Sequence, residues 1–442
     1  MLPNIVYIHS HDTGRYVQPY GYAVPTPNIQ RLAEQGMLFR QAFSAAPTCS
    51  PSRAGLLTGQ CAHSSGMIGL AHRGFSLNDY RQHIVHTLRA AGYHSALIGV
   101  QHVAMSAGNI GYDEVVPLAS HSAEHVAPAA VEWLQHAPQP FFLSVGFSET
   151  HREFPEPGPQ ENARYCRPPA TLPDTPRTRQ DMAAFMTSAR NLDEGMGAVL
   201  RALDAQGLAE NTLVLCTTDH GIAFPGMKCN LTDHGVGVML ILRGPGGFRG
   251  GRVCDAMVSQ IDLFPTICDL LSLPQPAWLQ GRSLLPLVHG EAKEVNEEVF
   301  AEVTYHAAYE PMRAVRTPRW KYIRRFEEIR RRTSADGRSA PVLPNCDDGP
   351  SKDVWLEHGW RGRPVAAEQL YDLVFDPNES HNLSADPSLA TVLAEMRGRL
   401  DRWMQATDDP LLCGPVPLPP GAIANDPDGL SPREPCLGNG LG

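Results

Sequence analysis

At 442 residues, 42% hydrophobic and 19% charged, the chain has the composition of an ordinary globular protein and is long enough to need a large domain plus a smaller one. No apolar run approaches the roughly 20 residues that span a bilayer, so no membrane partner is expected. A formal charge of -10 argues against a nucleic-acid partner, because neutralising phosphates requires a basic surface.

Ile5 to Ile8 is a short apolar run that opens into His9-Ser10-His11-Asp12-Thr13-Gly14, the pattern of a buried strand followed by a polar loop. Asn28 to Gly36, after a Thr-Pro start, reads as a helix, as do Arg53 to Leu57, His83 to Ala91, Ala127 to His136 and Met182 to Gln206. Between them Ala96 to Val100, Phe141 to Phe147, Leu213 to Thr217 and Val238 to Leu242 repeat the strand pattern. This alternation predicts an α/β fold whose mixed, mostly parallel central sheet is sandwiched by helices, with ligands bound at the carboxyl ends of its strands.

After Leu287 the texture changes. Glu298 to Val303, Met312 to Val315, Trp320 to Arg324 and Gln369 to Leu373 read as a small antiparallel sheet, followed by a helix from Leu389 to Met404. The expected division is a catalytic domain over 1–290 and a C-terminal α+β subdomain over 291–442. Arg330 to Pro364 reads as a long polar loop, and the Pro/Gly-rich chain after Asp408 as an irregular surface tail.

Ten cysteines are scattered without paired metal-type spacings, and Met1-Leu2-Pro3 leads straight into the first strand with no signal-peptide pattern. Both features suggest reduced thiols and a cytoplasmic location. Only four of the 37 basic residues are lysines (Lys228, Lys293, Lys321, Lys352), so a lysine inside a motif carries information.

Thr48-Cys49-Ser50-Pro51-Ser52-Arg53-Ala54-Gly55-Leu56-Leu57-Thr58-Gly59 contains a C-x-P-S-R…L-T-G pattern that resembles the sulfatase family, within the alkaline-phosphatase-like superfamily. The resemblance implies that a separate formylglycine-generating maturation enzyme oxidises Cys49 to formylglycine, whose hydrated aldehyde attacks sulfur. An alcohol would be left as a stable sulfate ester, whereas a diol leaves a sulfated hemiacetal that collapses and expels sulfate. It also implies that Arg53, one helical turn on, holds the diol with its guanidinium fork.

A sulfate ester presents hard oxygens, and a divalent cation neutralises the charge that develops on them. Asp12 and Asp219 both project from strand ends. The resemblance assigns Asp12, Asp219, His220 and modified Cys49 as ligands of one divalent ion, calcium in first place with manganese or zinc as alternatives. Two departures stand out. His11 occupies the first of two adjacent aspartate positions, so it too is a candidate ligand, and its imidazole with that of His220 suits manganese or zinc. Gly99-Val100-Gln101-His102 replaces the family's Gly-Lys-x-His, so the cation beside the diol is lost unless His11 supplies one.

Phe224-Pro225-Gly226-Met227-Lys228-Cys229-Asn230-Leu231 matches the segment whose basic residue grips the sulfate, here Lys228. His102 matches the histidine near the diol that removes the proton letting the hemiacetal collapse, and His151 the one that protonates the leaving atom. Met312 to Tyr322 and Glu368 to Leu383 resemble the family's C-terminal part. Ser-Pro-Ser-Arg-Ala with Phe-Pro-x-x-Lys-x-Asn-Leu is most similar to heparan N-sulfatases, which implies a small-molecule or saccharide sulfate ester or sulfamate as substrate. His72-Arg73 and Arg313 are candidate rim contacts, and a homo-oligomer is compatible with the sequence. Two other readings remain open: a phosphonate monoester hydrolase or phosphodiesterase with the same nucleophile, and a catalytically silent glycan-binding relative.

Overall fold

The computed structural model describes residues 2–326 and 339–437. An eight-stranded sheet has the spatial order β4-β3-β5-β1-β6-β7-β2-β8, where β1 is Asn4–Ser10, β2 Met37–Phe43, β3 His94–Gly99, β4 Glu114–Val116, β5 Phe141–Gly146, β6 Thr212–Thr218, β7 Leu240–Arg243 and β8 Arg252–Ser259. Every pairing is parallel except the two made by β7, which runs against both β6 and β2. Successive β1 side chains enter opposite cores. Ile5 and Tyr7 pack with Phe39, Leu56, Leu57 and Phe264, whereas Val6 and Ile8 pack with Ile29, Leu32, Val126 and Met196. Burial on both faces is why these strands read as unbroken apolar runs.

The expected elements form with small shifts. The helix containing Arg53 begins earlier, at Cys49, and ends at Thr58, where Gly59 supplies a left-handed residue at φ 68°. A Cβ there would stand 2.5 Å from Leu279 Cδ2, so the last residue of the L-T-G pattern is a helix stop that also permits close packing. The long helix Pro176–Ala205 starts six residues before the expected Met182, because Thr175 and Thr178 form a reciprocal cap ahead of Pro176.

The four-stranded antiparallel sheet follows the order β12-β11-β10-β9, with β9 Val299–Tyr305, β10 Tyr309–Arg316, β11 Trp320–Arg325 and β12 Glu368–Asp372. The helix Ala390–Ala406 covers it through Leu393, Met396, Leu400 and Met404. This sheet docks on the chain around Cys49: Glu302 N donates to Ala45 O at 3.0 Å, and Tyr305 N to Ile68 O at 3.0 Å.

The stretch expected as a polar loop is more ordered than that where it is described. Arg330 to Arg338 lie outside the described residues, but Pro350–Glu357 is helical and Asn345 and Lys352 are buried. Their polar ends are satisfied internally: Asn345 accepts from Ala308 N at 2.8 Å, and Lys352 donates to Cys346 O at 2.7 Å. The tail is likewise tied down in places, with Asp409 and Asn425 buried. All ten cysteines are free, and no helix among the described residues is long and apolar enough to cross a membrane.

Arg313 is not a rim contact. It is fully buried, with Nε donating to Asp409 Oδ2 at 2.6 Å and Nη2 lying 3.3 Å from Glu302 Oε2. Glu302 also faces His63 Nδ1 at 3.0 Å. Burial opposes both charges of that pair, but Glu302 raises the His63 pKa to about 11, and His63 with Arg313 lowers that of Glu302 to about 2. The His63 contribution to stability is therefore complete below 6.5 and is lost as pH rises toward 11, and that of Glu302 is complete above 4.5 and is lost as pH falls toward 2. His63→Ala is expected to cost about 3 kcal/mol near pH 6 and much less near about pH 10. Denaturant midpoints of both proteins across that range check this, and a pH-independent difference would contradict it.

Candidate active site

Parallel neighbours deliver the site. In the register that pairs Ser10 with Thr218, the next residues of β1 and β6 emerge side by side, and Asp12 N donates to Asp219 Oδ1 at 2.8 Å. Asp12 turns its carboxylate inward through a left-handed backbone at φ 51°. β5 and β3, on the other side of β1, release His151 and His102 at the same end of the sheet.

Cys49 arrives from a different direction, as the first residue of its helix, and is 1% exposed. Side chains of the motif fix that helix to β6. Ser52 Oγ donates to Asp219 O and lies 3.1 Å from Gln260 Oε1, and Gln260 donates to Thr218 O at 2.6 Å. Cys49 Sγ consequently lies 3.3 Å from His220 Nε2 and 3.9 Å from Asp12 Oδ1. Burial opposes ionisation of the thiol, yet Lys228 and His220, with His102 and His11 close by, bring its pKa well below the ordinary value.

Asp12, Cys49, Asp219 and His220 each offer a ligand atom, all within 4.8 Å of one another, and all four are buried. Two hard carboxylates, an imidazole and the side chain of residue 49 form a donor set that fits a divalent cation. His11 sits between the two places open to it: Nδ1 is 3.1 Å from Asp219 Oδ2 and 3.6 Å from Asp12 Oδ1, and its ring centroid is 5.4 Å from that of His102. Asp219 is kept ionised against burial by His220, Arg53 and His11, and in return burial of His220 is outweighed by Asp219 and Asp12, which raise its pKa to about 9.

Arg53 is 1% exposed, and its guanidinium is engaged by Asp219 Oδ2 at 3.0 Å, Ser10 O at 2.8 Å and His9 Nδ1 at 2.5 Å. Lys228 Nζ reaches Asp12 Oδ2 at 2.8 Å, and a backbone bond of 2.9 Å from Cys229 N to Pro47 O joins its loop to that of Cys49. His151 Nε2 is 4.0 Å from Asp12 Oδ2. The candidate catalytic and metal-binding residues are thus in one cluster. His72 enters it as well, stacked on His102 with Nδ1 and Nε2 2.9 Å apart, whereas Arg73 is spent on Ala307 O and Asn425.

Two members were not anticipated. Asp347 Oδ2 lies 2.9 Å from Lys228 Nζ, and His306, in the turn between β9 and β10, is buried and interacts with the Cys49 thiol. Both come from the C-terminal part of the chain. Their nearest sequence signals are modest: a turn-rich Asn345-Cys346-Asp347-Asp348-Gly349-Pro350 run, and a histidine between two strand patterns.

Residues 3–273 match the family model described as Sulfatase, and residues 228–342 match the one described as N-sulphoglucosamine sulphohydrolase, C-terminal. The chain belongs to the sulfatase family and is a sulfuric ester hydrolase. It is 31% identical to human (Homo sapiens) N-sulphoglucosamine sulphohydrolase, covering 89% of this chain and 88% of that protein. A Delta 4,5-hexuronate-2-O-sulfatase of Bacteroides thetaiotaomicron is 26% identical, covering 92% and 90%. A solved structure in complex with its substrate D-glucosamine-2-N,6-O-disulfate shares the fold at a TM-score of 0.73 and 18% identity, covering 97% of this chain and 99% of that one.

Proposed function

We propose that the protein removes a sulfuryl group from a sulfated sugar, with N-sulfated glucosamine as the leading substrate. The observation that carries this reading is the buried Cys49 side chain 3.3 Å from His220 Nε2 and 3.9 Å from Asp12 Oδ1, at the mouth of the strand-end carboxylates. The match of residues 228–342 to the N-sulphoglucosamine sulphohydrolase C-terminal model supports the sugar.

Formylglycine made from Cys49 by a maturation enzyme would supply a nucleophilic oxygen where the thiol now lies. A divalent ion held by Asp12, Asp219 and His220, with His11 at its edge, would supply Lewis-acid polarisation of the sulfuryl oxygens. The carboxylates suit calcium, and the imidazoles bring manganese and zinc into range. Elemental analysis of the purified protein identifies the ion.

The remaining roles belong to the chain itself. Lys228 presents its ammonium to the anion, and burial, which disfavours that charge, is outweighed by Asp12 and Asp347. His102, with a pKa lowered by burial, is neutral and takes the proton from residue 49; His72 fixes its ring. His151, half-exposed at the edge of the cluster, donates a proton to the departing oxygen or nitrogen, which a sulfamate needs because an amine leaves only when protonated. Arg53 acts by positioning Asp219.

Matured protein is expected to release sulfate from N-sulfated or O-sulfated glucosamine at least about tenfold faster than it releases product from a matched aryl phosphonate or phosphodiester. Preference for the phosphorus esters would favour the phosphonate hydrolase reading. Sugar binding without turnover, by protein whose Cys49 is converted, would favour a silent glycan-binding relative.

A further inference from the structure

The charges around the anion pocket do not balance in the way a general oxyanion site would. Asp12, Asp219 and Asp347 are three carboxylates against two fixed cations, Arg53 and Lys228. Arg53 is committed to Asp219 at 3.0 Å, and Lys228 is shared between Asp12 at 2.8 Å and Asp347 at 2.9 Å. Side-chain exposure is 3% for Lys228, 0% for Asp12 and 15% for Asp347, so water screens this group poorly.

Asp347 is held in place on both sides. Asn345 is anchored to Ala308 N at 2.8 Å and donates to Glu310 at 2.9 Å, and Lys352 clamps Cys346 O at 2.7 Å and Asp348 Oδ1 at 2.8 Å. The backbone that carries Asp347 is therefore anchored on both sides of it. Burial raises its pKa, but Lys228, His151 and His306 outweigh that and keep it ionised.

With a divalent ion bound and the imidazoles of His11 and His220 neutral beside it, the five fixed charges and the ion sum to one positive charge. A sulfate ester or sulfamate carries one negative charge and completes neutrality. A phosphate monoester at neutral pH carries nearly two, and the second would remain uncompensated in a buried site beside Asp347. Resting on the proposed grip of Lys228, we propose that Asp347 is a specificity-determining residue that makes the site reject dianionic phosphoryl groups while accepting monoanionic sulfuryl groups. It does so by cancelling part of the ammonium's charge at the point where the anion docks.

The test compares matured, metal-loaded wild type with Asp347→Asn and Asp347→Glu at about pH 8, where inorganic phosphate is mostly dianionic. Calorimetry with methanesulfonate, a non-hydrolysable monoanion, and inorganic phosphate gives a binding ratio that does not depend on turnover, and kcat/KM on paired aryl sulfate and aryl phosphate gives the kinetic ratio. In Asp347→Asn the ratio of the dianionic phosphorus ligand to the monoanionic sulfur ligand is expected to rise about tenfold or more in both measurements, because one unit of repulsion at close range is removed. Asp347→Glu is expected to restore the wild-type ratio.

Equal loss of both anions in Asp347→Asn would show that the residue only positions Lys228, and an unchanged ratio would show no selectivity role. A change confined to sugar sulfates, with methanesulfonate and phosphate unaffected, would show that Asp347 contacts the sugar instead. Each of these overturns the proposal. Absence of sulfatase turnover in wild type would defeat the proposed function, and the calorimetric ratio would still decide this one.

Discussion

Cys49→Ala is expected to lower kcat on any sulfated substrate by at least about 10³-fold while leaving the protein folded. The side chain lies at the focus of the cluster, within 3.3 Å of His220 Nε2, and among the described residues no second cysteine joins the group that it forms with Asp12, Asp219 and His220. Truncation removes one buried sulfur at a helix start, so the expected stability change is within about 2 kcal/mol. Steady-state rates together with a denaturant midpoint separate loss of chemistry from loss of fold. Residual activity above a few percent would mean that the nucleophile lies elsewhere.

Asp219→Asn should damage both binding and stability. One carboxylate accepts from Asp12 N, His220 N and Arg53 Nη2 at 2.8, 3.0 and 3.0 Å, and faces His11 Nδ1 at 3.1 Å. The amide keeps the shape but removes the charge, which leaves Arg53 buried without its counter-ion. The expected cost is about 3–5 kcal/mol, with divalent-ion affinity falling at least about 100-fold. Elemental analysis after dialysis and a denaturant titration read the two effects independently. Full retention of the ion would remove Asp219 from the ligand set.

The catalytic end of the sheet was legible because its logic is local. A buried parallel strand announces itself as an apolar run, and the polar residues after β1, β3, β5 and β6 fall together because those strands are neighbours in space. β7 was legible in the same way, from Val238 to Leu242, and the remaining three strands of that sheet carry weaker signals. β2 is interrupted by Arg40-Gln41, β4 has three residues, and β8 is an edge strand whose first half is largely exposed.

Asp347 and His306 were illegible for a different reason. They reach Cys49 and Lys228 only because a second sheet docks on the first, and no periodicity within their own segments encodes that contact. Arg313 shows the converse error. An arginine between Met312 and Ala314 suggested a surface contact, whereas in β10 it faces the buried Asp409 and Glu302. The scarcity of lysine proved informative without being specific. Lys228, Lys321 and Lys352 are all buried, but Lys321 serves an ion pair with Asp233 at 2.6 Å that ties the segment after Lys228 to β11.

The central claim is that an oxidised residue 49 performs the chemistry beside the carboxylate-held ion. Protein prepared with graded exposure to a formylglycine-generating enzyme can be assayed for sulfate release from N-sulfated glucosamine, while mass spectrometry of the peptide carrying residue 49 gives the converted fraction. A straight line through the origin, activity against fraction converted, is the predicted result. Equal activity in unconverted protein, or none in fully converted protein, would contradict it.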